Sequence, residues 1–389
     1  MTTTSQNAIG HPDCVFHNAP IGSVVNKQVG AKSKNAVINA TIRAKEKFDE
    51  LLSLFNRTKA KNLKVLSVIH SESSIDSPLI YSPTLIAQEL SKLQSQMSPS
   101  LKKAIFENGR LDVSNISEVD IIKYGAKIGG LYDLAIRYEL LSTNKAAYKK
   151  LASKDIRGFY YLYTKKVNAD TLKRFEGFNN NEQEEIKNAL LGICRNNDVK
   201  VSSCTKELNA SLKRNMLDSY YKKYINKATE AWNSYFQIPK HAVRNDITYR
   251  NDVLEVPFAM PENKKLHDFV RGIEDYWKHS GLMIELDFQN KKNIPNLTLK
   301  ENSVAHVNKL GGNDIIMNAS IDMNLSKNQL VLNHEFGHVL GLPDCYIEFY
   351  DEEKDAFVNY QIMKTDMMCS TSGKITSRIV QELKRVYGH

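Results

Sequence analysis

The segment 332–344, LNHEFGHVLGLPD, constrains the fold of this 389-residue chain more than any other stretch. His334 and His338 lie four residues apart, so in a helix both imidazoles project from one face. Gly341 stands where a left-handed residue would end that helix, a conformation that other residues adopt only with strain. The chain then turns back, and we expect the Asp344 carboxylate to face both imidazoles.

Two neutral imidazoles and one carboxylate are ordinary zinc ligands, and with three protein ligands the fourth position stays open for water. We therefore predict one catalytic Zn²⁺, held by His334, His338 and Asp344. Glu335 lies next to the first histidine and would reach the water as a general base without binding the metal. The alternative is a buried helix with two satisfied histidines and a surface aspartate.

The pattern HExxHxxGxxD is similar to the signature of the metzincin clan of zinc endopeptidases, whose third ligand is His or Asp. In that clan a methionine-containing turn lies beneath the metal, and residues 365–370, TDMMCS, match it here. Met368 is the expected turn methionine, although core packing is the other interpretation of the pair Met367 and Met368. Snapalysin-like members also have an aspartate where this chain has Asp344. Ser370 stands where astacin-like members place a tyrosine, so no tyrosine is expected at the metal.

Two further segments are similar to the matrixin branch of this clan. Residues 303–318 resemble its upper edge strand, its glycine-containing loop and its next strand, and residues 374–388 resemble its C-terminal helix. The resemblance implies an α+β zincin fold over residues 239–389, with an extended substrate paired to the edge strand. The expected edge-strand residues are Ala305, His306 and Val307. The structural zinc and calcium ligands of matrixins are not evident between 285 and 330, so we expect a single metal ion.

The function that the resemblance implies is that of a zinc-dependent endopeptidase, a hydrolase that cleaves peptide bonds in protein substrates. Zn²⁺ would activate a water molecule and Glu335 would accept its proton. The same carboxylate would then protonate the leaving amine. The acidic stretch 350–353 suits basic substrates or is simply a solvated loop.

The rest of the chain has a different texture. Residues 1–34 are rich in small polar residues and are predicted to be a flexible leader. Residues 35–238 carry apolar residues at helical spacing, with Ser-Pro caps at 82–83 and 98–99, and predict a mostly α-helical domain. Alternating strands and helices follow, so the α+β domain is predicted to begin at residue 239.

The helical domain carries an excess of positive charge. Residues 1–239 contain 35 basic and 23 acidic side chains, whereas residues 240–389 contain 18 and 21. We expect this domain to select or deliver the target protein, and an inhibitory prodomain is the alternative. A second candidate function is a binding protein whose basic helical half contacts nucleic acid or an anionic surface, beside an inactive zincin domain. The tyrosines that suit either such contacts or a helical core are Tyr160, Tyr161, Tyr163, Tyr220, Tyr221 and Tyr224.

The five cysteines are too few for a disulfide scaffold, and none forms a CxxC pair. Cys194 and Cys204 flank a short polar loop and could pair. The metzincin resemblance places the loops of Cys345 and Cys369 side by side, so these two form either a disulfide or a pair of small buried side chains. Cys14 is left over. It could bind the zinc as matrixin propeptide cysteines do, but the pattern PRCGxPD is missing.

No window of the sequence approaches the length of an apolar bilayer span, so no membrane-spanning helix is expected. No secretory signal is visible. We expect a protein that is secreted or delivered into another cell by a signal-less route, or that otherwise stays in the cytoplasm. We also expect a monomer that takes a protein or peptide as substrate and has no nucleic-acid partner.

Overall fold

The computed structural model describes residues 35–65, 73–107, 112–370 and 372–388. The protein has an α+β structure, in which helices dominate up to residue 238 and short strands alternate with helices thereafter. The predicted leader and Cys14 lie outside the described residues. In the part described, no helix combines the length and the apolar character needed to cross a bilayer.

The first elements pack around one apolar core. They are α1 (Ala36–Thr58), α2 (Pro83–Gln96), α3 (Pro99–Phe106) and α4 (Glu118–Ser142), and the short strand β1 (Leu79–Tyr81) precedes α2 and packs in a separate cluster. Pro83 and Pro99 begin α2 and α3, as the Ser-Pro pairs predict, because the first amides of a helix need no partner within it. Asn35 and Ser117 cap α1 and α4 with their side-chain oxygens. The helical half therefore begins as expected, with the short strand β1 added.

A second group of helices has a core of its own. It comprises α6 (Arg157–Thr164), α7 (Ala169–Leu172), α8 (Asn180–Arg195), α9 (Val201–Lys213) and α10 (Leu217–Ser234), while the preceding α5 (Lys145–Leu151) packs in a different cluster. Helices α9 and α10 are separate, because Asn215 adopts a left-handed conformation (φ 53°) between them. A disulfide joins Cys194 of α8 to Cys204 of α9, so these two cysteines do pair.

The elements after residue 239 follow the expected order, with one strand added. They are β2 (Thr248–Arg250), β3 (Val253–Ala259), α11 (Lys264–Tyr276), β4 (Met283–Gln289), β5 (Asn296–Lys300), β6 (His306–Val307), β7 (Asp314–Asn318) and α12 (Ser326–Val339). The added strand is β5, which the sequence hides because Asn293, Pro295 and Asn296 look like turn residues.

These strands form two three-stranded sheets. Strands β3 and β4 run parallel, as do β5 and β7, whereas β6 pairs antiparallel with β7. Ala259, at the end of β3, donates its amide hydrogen to the carbonyl oxygen of Pro295 at 2.7 Å and so brings β5 beside β3. The strand orders are therefore β2-β3-β4 in one sheet and β5-β7-β6 in the other, with the short antiparallel strand β6 at an edge of the second sheet.

Helices α11 and α12 pack together and share the largest apolar core. Trp277, which follows α11, meets Phe336 of α12 edge to face, with 5.7 Å between the ring centroids. Neither side chain is exposed to solvent. This contact fixes α12, which carries both candidate histidine ligands.

The last elements are a hairpin and a helix: β8 (Tyr346–Asp351), β9 (Ala356–Gln361) and α13 (Ser377–Tyr387). The acidic stretch 350–353 lies at the end of β8 and in the turn that follows it. Strand β1 of the helical half pairs antiparallel with β9, from Leu79 opposite Asn359 to Tyr81 opposite Phe357. The sheet β1-β9-β8 therefore extends across the boundary expected between residues 238 and 239.

Two glycines let α6 and α8 approach closely. A Cβ at Gly158 would lie 2.5 Å from the carbonyl oxygen of Ala189 and 3.0 Å from the Cα of Gly192. We predict that Gly158→Ala lowers the free energy of unfolding by about 1–3 kcal/mol, because overpacking outweighs the better helix propensity of alanine. Urea unfolding measures this change.

The control is Gly177→Ala, because a Cβ there would meet nothing within 4 Å. We expect this variant to unfold at nearly the same urea concentration as the wild type. Equal stability of the Gly158 and Gly177 variants would contradict the close contact of α6 and α8.

Candidate metal centre

Helix α12 ends at the position that the sequence predicts. Gly341 has a φ of +86°, which confirms the left-handed residue. The amide of Leu342 then donates to the carbonyl oxygen of Gly337 at 3.0 Å and turns the chain back on the helix. A side chain at Gly341 would also meet Ala242, whose carbonyl oxygen lies 2.9 Å from the position of a Cβ. Both the conformation and the space therefore require glycine.

The turn brings three potential ligands together. The Asp344 Oδ1 atom lies 3.1 Å from the Nε2 atom of His334 and 3.3 Å from that of His338. The imidazole rings are perpendicular, with centroids 4.8 Å apart. Both histidines are buried, and 16% of the Asp344 side chain is exposed. The three residues predicted from the sequence therefore form one compact group.

Backbone carbonyl groups orient both imidazoles. The Nδ1 atom of His334 lies 2.8 Å from the carbonyl oxygen of Met367, and that of His338 lies 2.8 Å from the carbonyl oxygen of Leu342. A carbonyl oxygen only accepts hydrogen bonds, so Nδ1 carries the proton in each neutral ring. The lone pair of each Nε2 atom then points toward the Asp344 oxygen.

Three acceptor atoms at this separation repel one another unless a positive charge lies between them. Two imidazole nitrogens and one carboxylate oxygen form a donor set that suits Zn²⁺, and backbone hydrogen bonds of this kind hold metal-binding histidines in place. His334, His338 and Asp344 therefore fit a zinc ion in chemistry and orientation.

Without a metal, a proton takes the place of the positive charge. Burial lowers the pKa of His338, but the charge of Asp344 and its hydrogen bond outweigh burial and raise that pKa to about 9. Burial raises the pKa of Asp344, but the two imidazoles hold it well below its usual range. A metal ion must therefore displace a proton from this site.

Glu335, the expected general base, lies next to His334 on α12 and is fully buried. Its negative charge is close enough to contribute to the raised pKa of His338. The carboxylate therefore belongs to the same group of charges as the three ligands.

Met368 packs beneath the helix that carries the histidines. Its Sδ atom occupies the space that a Cβ at Gly337 would need, and the ring of Trp277 lies on the same side. Met368 is completely buried. No role was predicted for Gly337 from the sequence, although the small residue between the two histidines was a visible signal for this contact.

Asp366 organises the turn that contains Met368. Its carboxylate accepts hydrogen bonds from the Met368 amide at 2.9 Å, from the Thr376 hydroxyl at 2.9 Å and from the Arg378 guanidinium at 2.8 Å. The same turn supplies the Met367 carbonyl oxygen that orients His334. Asp366 therefore supports the orientation of His334 indirectly, through this turn. This residue was not predicted from the sequence because its partner, Arg378, lies on another element.

A disulfide joins Cys345, next to the third ligand, to Cys369 in the methionine turn. The disulfide that the sequence left open is therefore present. Their sulfur atoms also form a group with Asp366 that resembles a metal site. These sulfurs are bonded to each other and Asp366 pairs with Arg378, so this second group does not suit a metal ion.

The expected edge strand is shorter than predicted. His306 and Val307 form β6, whereas Ala305 precedes it and lies outside any strand. Among the described residues, β6 pairs only with β7. The Nδ1 atom of His306 lies 2.8 Å from the carbonyl oxygen of Val304. After β6, the amide of Gly311 donates to the carbonyl oxygen of His338 at 2.8 Å and connects this edge to α12.

Comparisons with models of known protein families, with curated proteins and with solved structures find no match to this chain. The chemistry of the site must therefore carry the functional argument.

We predict that zinc stabilises the protein more at pH 8.5 than at pH 5.5. The pKa of His338 is raised from 6.5 to about 9, so its pairing with Asp344 stabilises the metal-free protein fully below pH 6.5. That contribution is lost as the pH rises through about 9. Zinc therefore competes less with a proton at pH 8.5 than at pH 5.5. Thermal unfolding with and without zinc measures the difference. An equal or smaller shift at pH 8.5 would contradict this coupling.

Gly341→Ala tests the turn after α12. We expect a loss of about 1–2 kcal/mol in stability from the left-handed φ, together with at least a tenfold loss of zinc affinity as Asp344 moves. Isothermal titration measures the affinity.

The matched control is Gly281→Ala. Gly281 has a similar φ of +79°, but the atom nearest to the position of a Cβ there is the flexible Lys384 Nζ atom, far from the ligands. We expect a similar loss of stability and unchanged zinc affinity. A parallel loss of affinity in both variants would attribute the effect to general destabilisation.

Proposed function

We propose that this protein is a zinc-dependent endopeptidase that hydrolyses peptide bonds in protein substrates. The observation that carries the proposal is the convergence of two imidazole Nε2 atoms and one carboxylate oxygen, with a buried glutamate beside them. His334, His338 and Asp344 would hold the metal, and Glu335 would be the general base.

The bound zinc ion would supply Lewis acidity, which polarises a carbonyl group and makes a water molecule more acidic. Glu335 would accept the proton of the attacking water and then protonate the leaving amine. The backbone carbonyl groups of Met367 and Leu342 keep both imidazoles in one orientation throughout, so no ligand needs to reorganise.

The free edge of β6 suits an extended peptide. Within the described part of the chain, β6 has a strand neighbour on one side only, so a substrate strand could add to the other side through main-chain hydrogen bonds. The connection from Gly311 to His338 would keep that strand in register with the metal centre. His306 and Val307 would contribute backbone groups, while Ala305 would lie at the start of the contact.

The elements around the candidate site also support a zincin-like arrangement of the metzincin type. The edge strand is antiparallel, α12 presents the ligands, and a buried methionine follows beneath them. Two disulfides are typical of proteins in oxidising compartments, which supports a secreted protein over a cytoplasmic one.

The second candidate, a protein that binds nucleic acid or an anionic surface, has weaker support. Tyr220 and Tyr224 lie in the core of the second helical group, where they cannot stack on bases. Tyr161 donates its hydroxyl hydrogen to Glu185 at 2.8 Å. Tyr163 is largely exposed, but a single exposed ring is a weak basis for such a surface.

The test is Glu335→Gln in the full chain loaded with zinc. We expect this variant to bind zinc like the wild type and to cleave a denatured protein substrate about 100 to 10,000 times more slowly. Mass spectrometry of the new N-termini measures cleavage.

Glu255→Gln is the matched control, since Glu255 is exposed on β3. It should retain full activity. Failure of the zinc-loaded wild type to cleave any member of a peptide library would contradict the proposed function. Full activity of the Glu335 variant would contradict the role of that residue.

A further inference from the structure

We propose that the helical half of the chain holds the third metal ligand in place, and that Arg137 is the positioning residue through which it acts. The inference rests on the proposed metal site. It concerns residues 345–362, here called the ligand hairpin, which contain β8 and β9.

The ligand hairpin connects the third ligand to the methionine turn. It begins directly after Asp344, and its base is closed by the Cys345–Cys369 disulfide. The amide of Cys345 donates to the carbonyl oxygen of Met368 at 3.0 Å. The amide of Ile362 donates to the carbonyl oxygen of Cys345, also at 3.0 Å. A shift of the hairpin would therefore move Asp344 and the turn that orients His334.

A buried ion pair attaches β8 to the helical half. The Arg137 guanidinium of α4 binds Glu348 with both ends, Nη2 to Oε2 at 2.6 Å and Nε to Oε1 at 3.3 Å. Only 3% of the Glu348 side chain and 13% of the Arg137 side chain are exposed. The guanidinium is planar and makes two parallel contacts with the Glu348 carboxylate. It therefore fixes the orientation of β8 and also balances the charge of Glu348.

Strand β9 is held from the other side. It pairs with β1 over three residues, and the Ser73 hydroxyl donates to Asn359 at 2.9 Å. Phe357 of β9 is fully buried and meets the rings of Tyr138 and Tyr148 edge to face, with centroids 5.5 and 5.6 Å away. The hairpin is therefore packed into the helical half along its length.

The acidic tip of the hairpin also faces the helices. Lys149 pairs with Glu352 at 2.7 Å, and Lys145 pairs with Asp355 at 3.2 Å. These acidic side chains are thus attached to the helical half, which argues against the expectation that the stretch 350–353 receives basic substrates.

A removable prodomain would not be built into the enzyme in this way. Loss of the helices would uncover Phe357 and leave the buried Glu348 carboxylate without its guanidinium, at a high desolvation cost. The helical half is then a permanent part of the metal centre, and its removal would lower zinc affinity instead of releasing activity.

The experiment measures zinc affinity and the visible absorption spectrum of the cobalt-substituted protein, in full-chain variants well below their unfolding temperature. We expect Arg137→Ala to weaken zinc binding about 10- to 100-fold and to change the cobalt spectrum, because the third ligand loses its fixed position. Lys149→Ala is the matched control, because Lys149 of α5 forms an ion pair with Glu352 on the same hairpin. Its ion pair is exposed, so zinc affinity and spectrum should stay as in the wild type.

Arg137→Lys keeps the proposal testable if the alanine variant does not fold. Lysine keeps the charge beside Glu348 but loses the two-pronged contact, so we expect a folded protein with several-fold weaker zinc binding. Wild-type affinity and an unchanged cobalt spectrum in this variant would overturn the proposal.

Amide hydrogen exchange of the metal-free protein separates this proposal from the proposed function. Faster exchange at residues 342–345 and 366–369 in either Arg137 variant, but not in the Lys149 variant, would support the positioning role even if no peptide is cleaved. Unchanged exchange there would overturn it, whatever the peptidase assay gives.

Discussion

Repulsion among three acceptor atoms is the constraint on which the rest of this structure depends. The carbonyl oxygens of Met367 and Leu342 orient the two imidazoles, and the left-handed Gly341 turns the chain so that the Asp344 carboxylate faces them. The buried Asp366 holds the turn that contains Met367. Such a group is unfavourable until a cation occupies its centre, and a proton on His338 is only a partial substitute. The repulsion that destabilises the metal-free site is the reason that this set of ligands suits a divalent ion.

Close packing supports the helix that carries both histidines. Met368 can lie directly against α12 only because residue 337 has no side chain, and Trp277 closes the same space from α11. In such a close-packed core, a shift of one side chain displaces its neighbours, because there is no free volume to absorb the shift. The two histidines are therefore held by the apolar core of the C-terminal part of the chain.

Local features were readable in the sequence. The helix start at Pro83, the turn at Gly341 and the approach of Asp344 to both histidines follow from short-range rules, and the structure has all three. Features that need two distant segments were not readable, because one sequence carries no signal for which segments meet. Strand β1, the partner of Asp366 and the contact of Arg137 with Glu348 all belong to this second class. Ala305 was misplaced because a regular alternation of residues does not fix where a strand begins.

The pairing of β1 with β9 has a consequence for the order of synthesis. Ser73 and Asn359, which bond beside this pairing, are separated by 286 residues, so the ribosome has made nearly the whole chain before the contact can form. Contacts of such long range form late, after local helices have folded. A nascent chain therefore carries both histidines and Asp344 before the ligand hairpin can be anchored on the helical half.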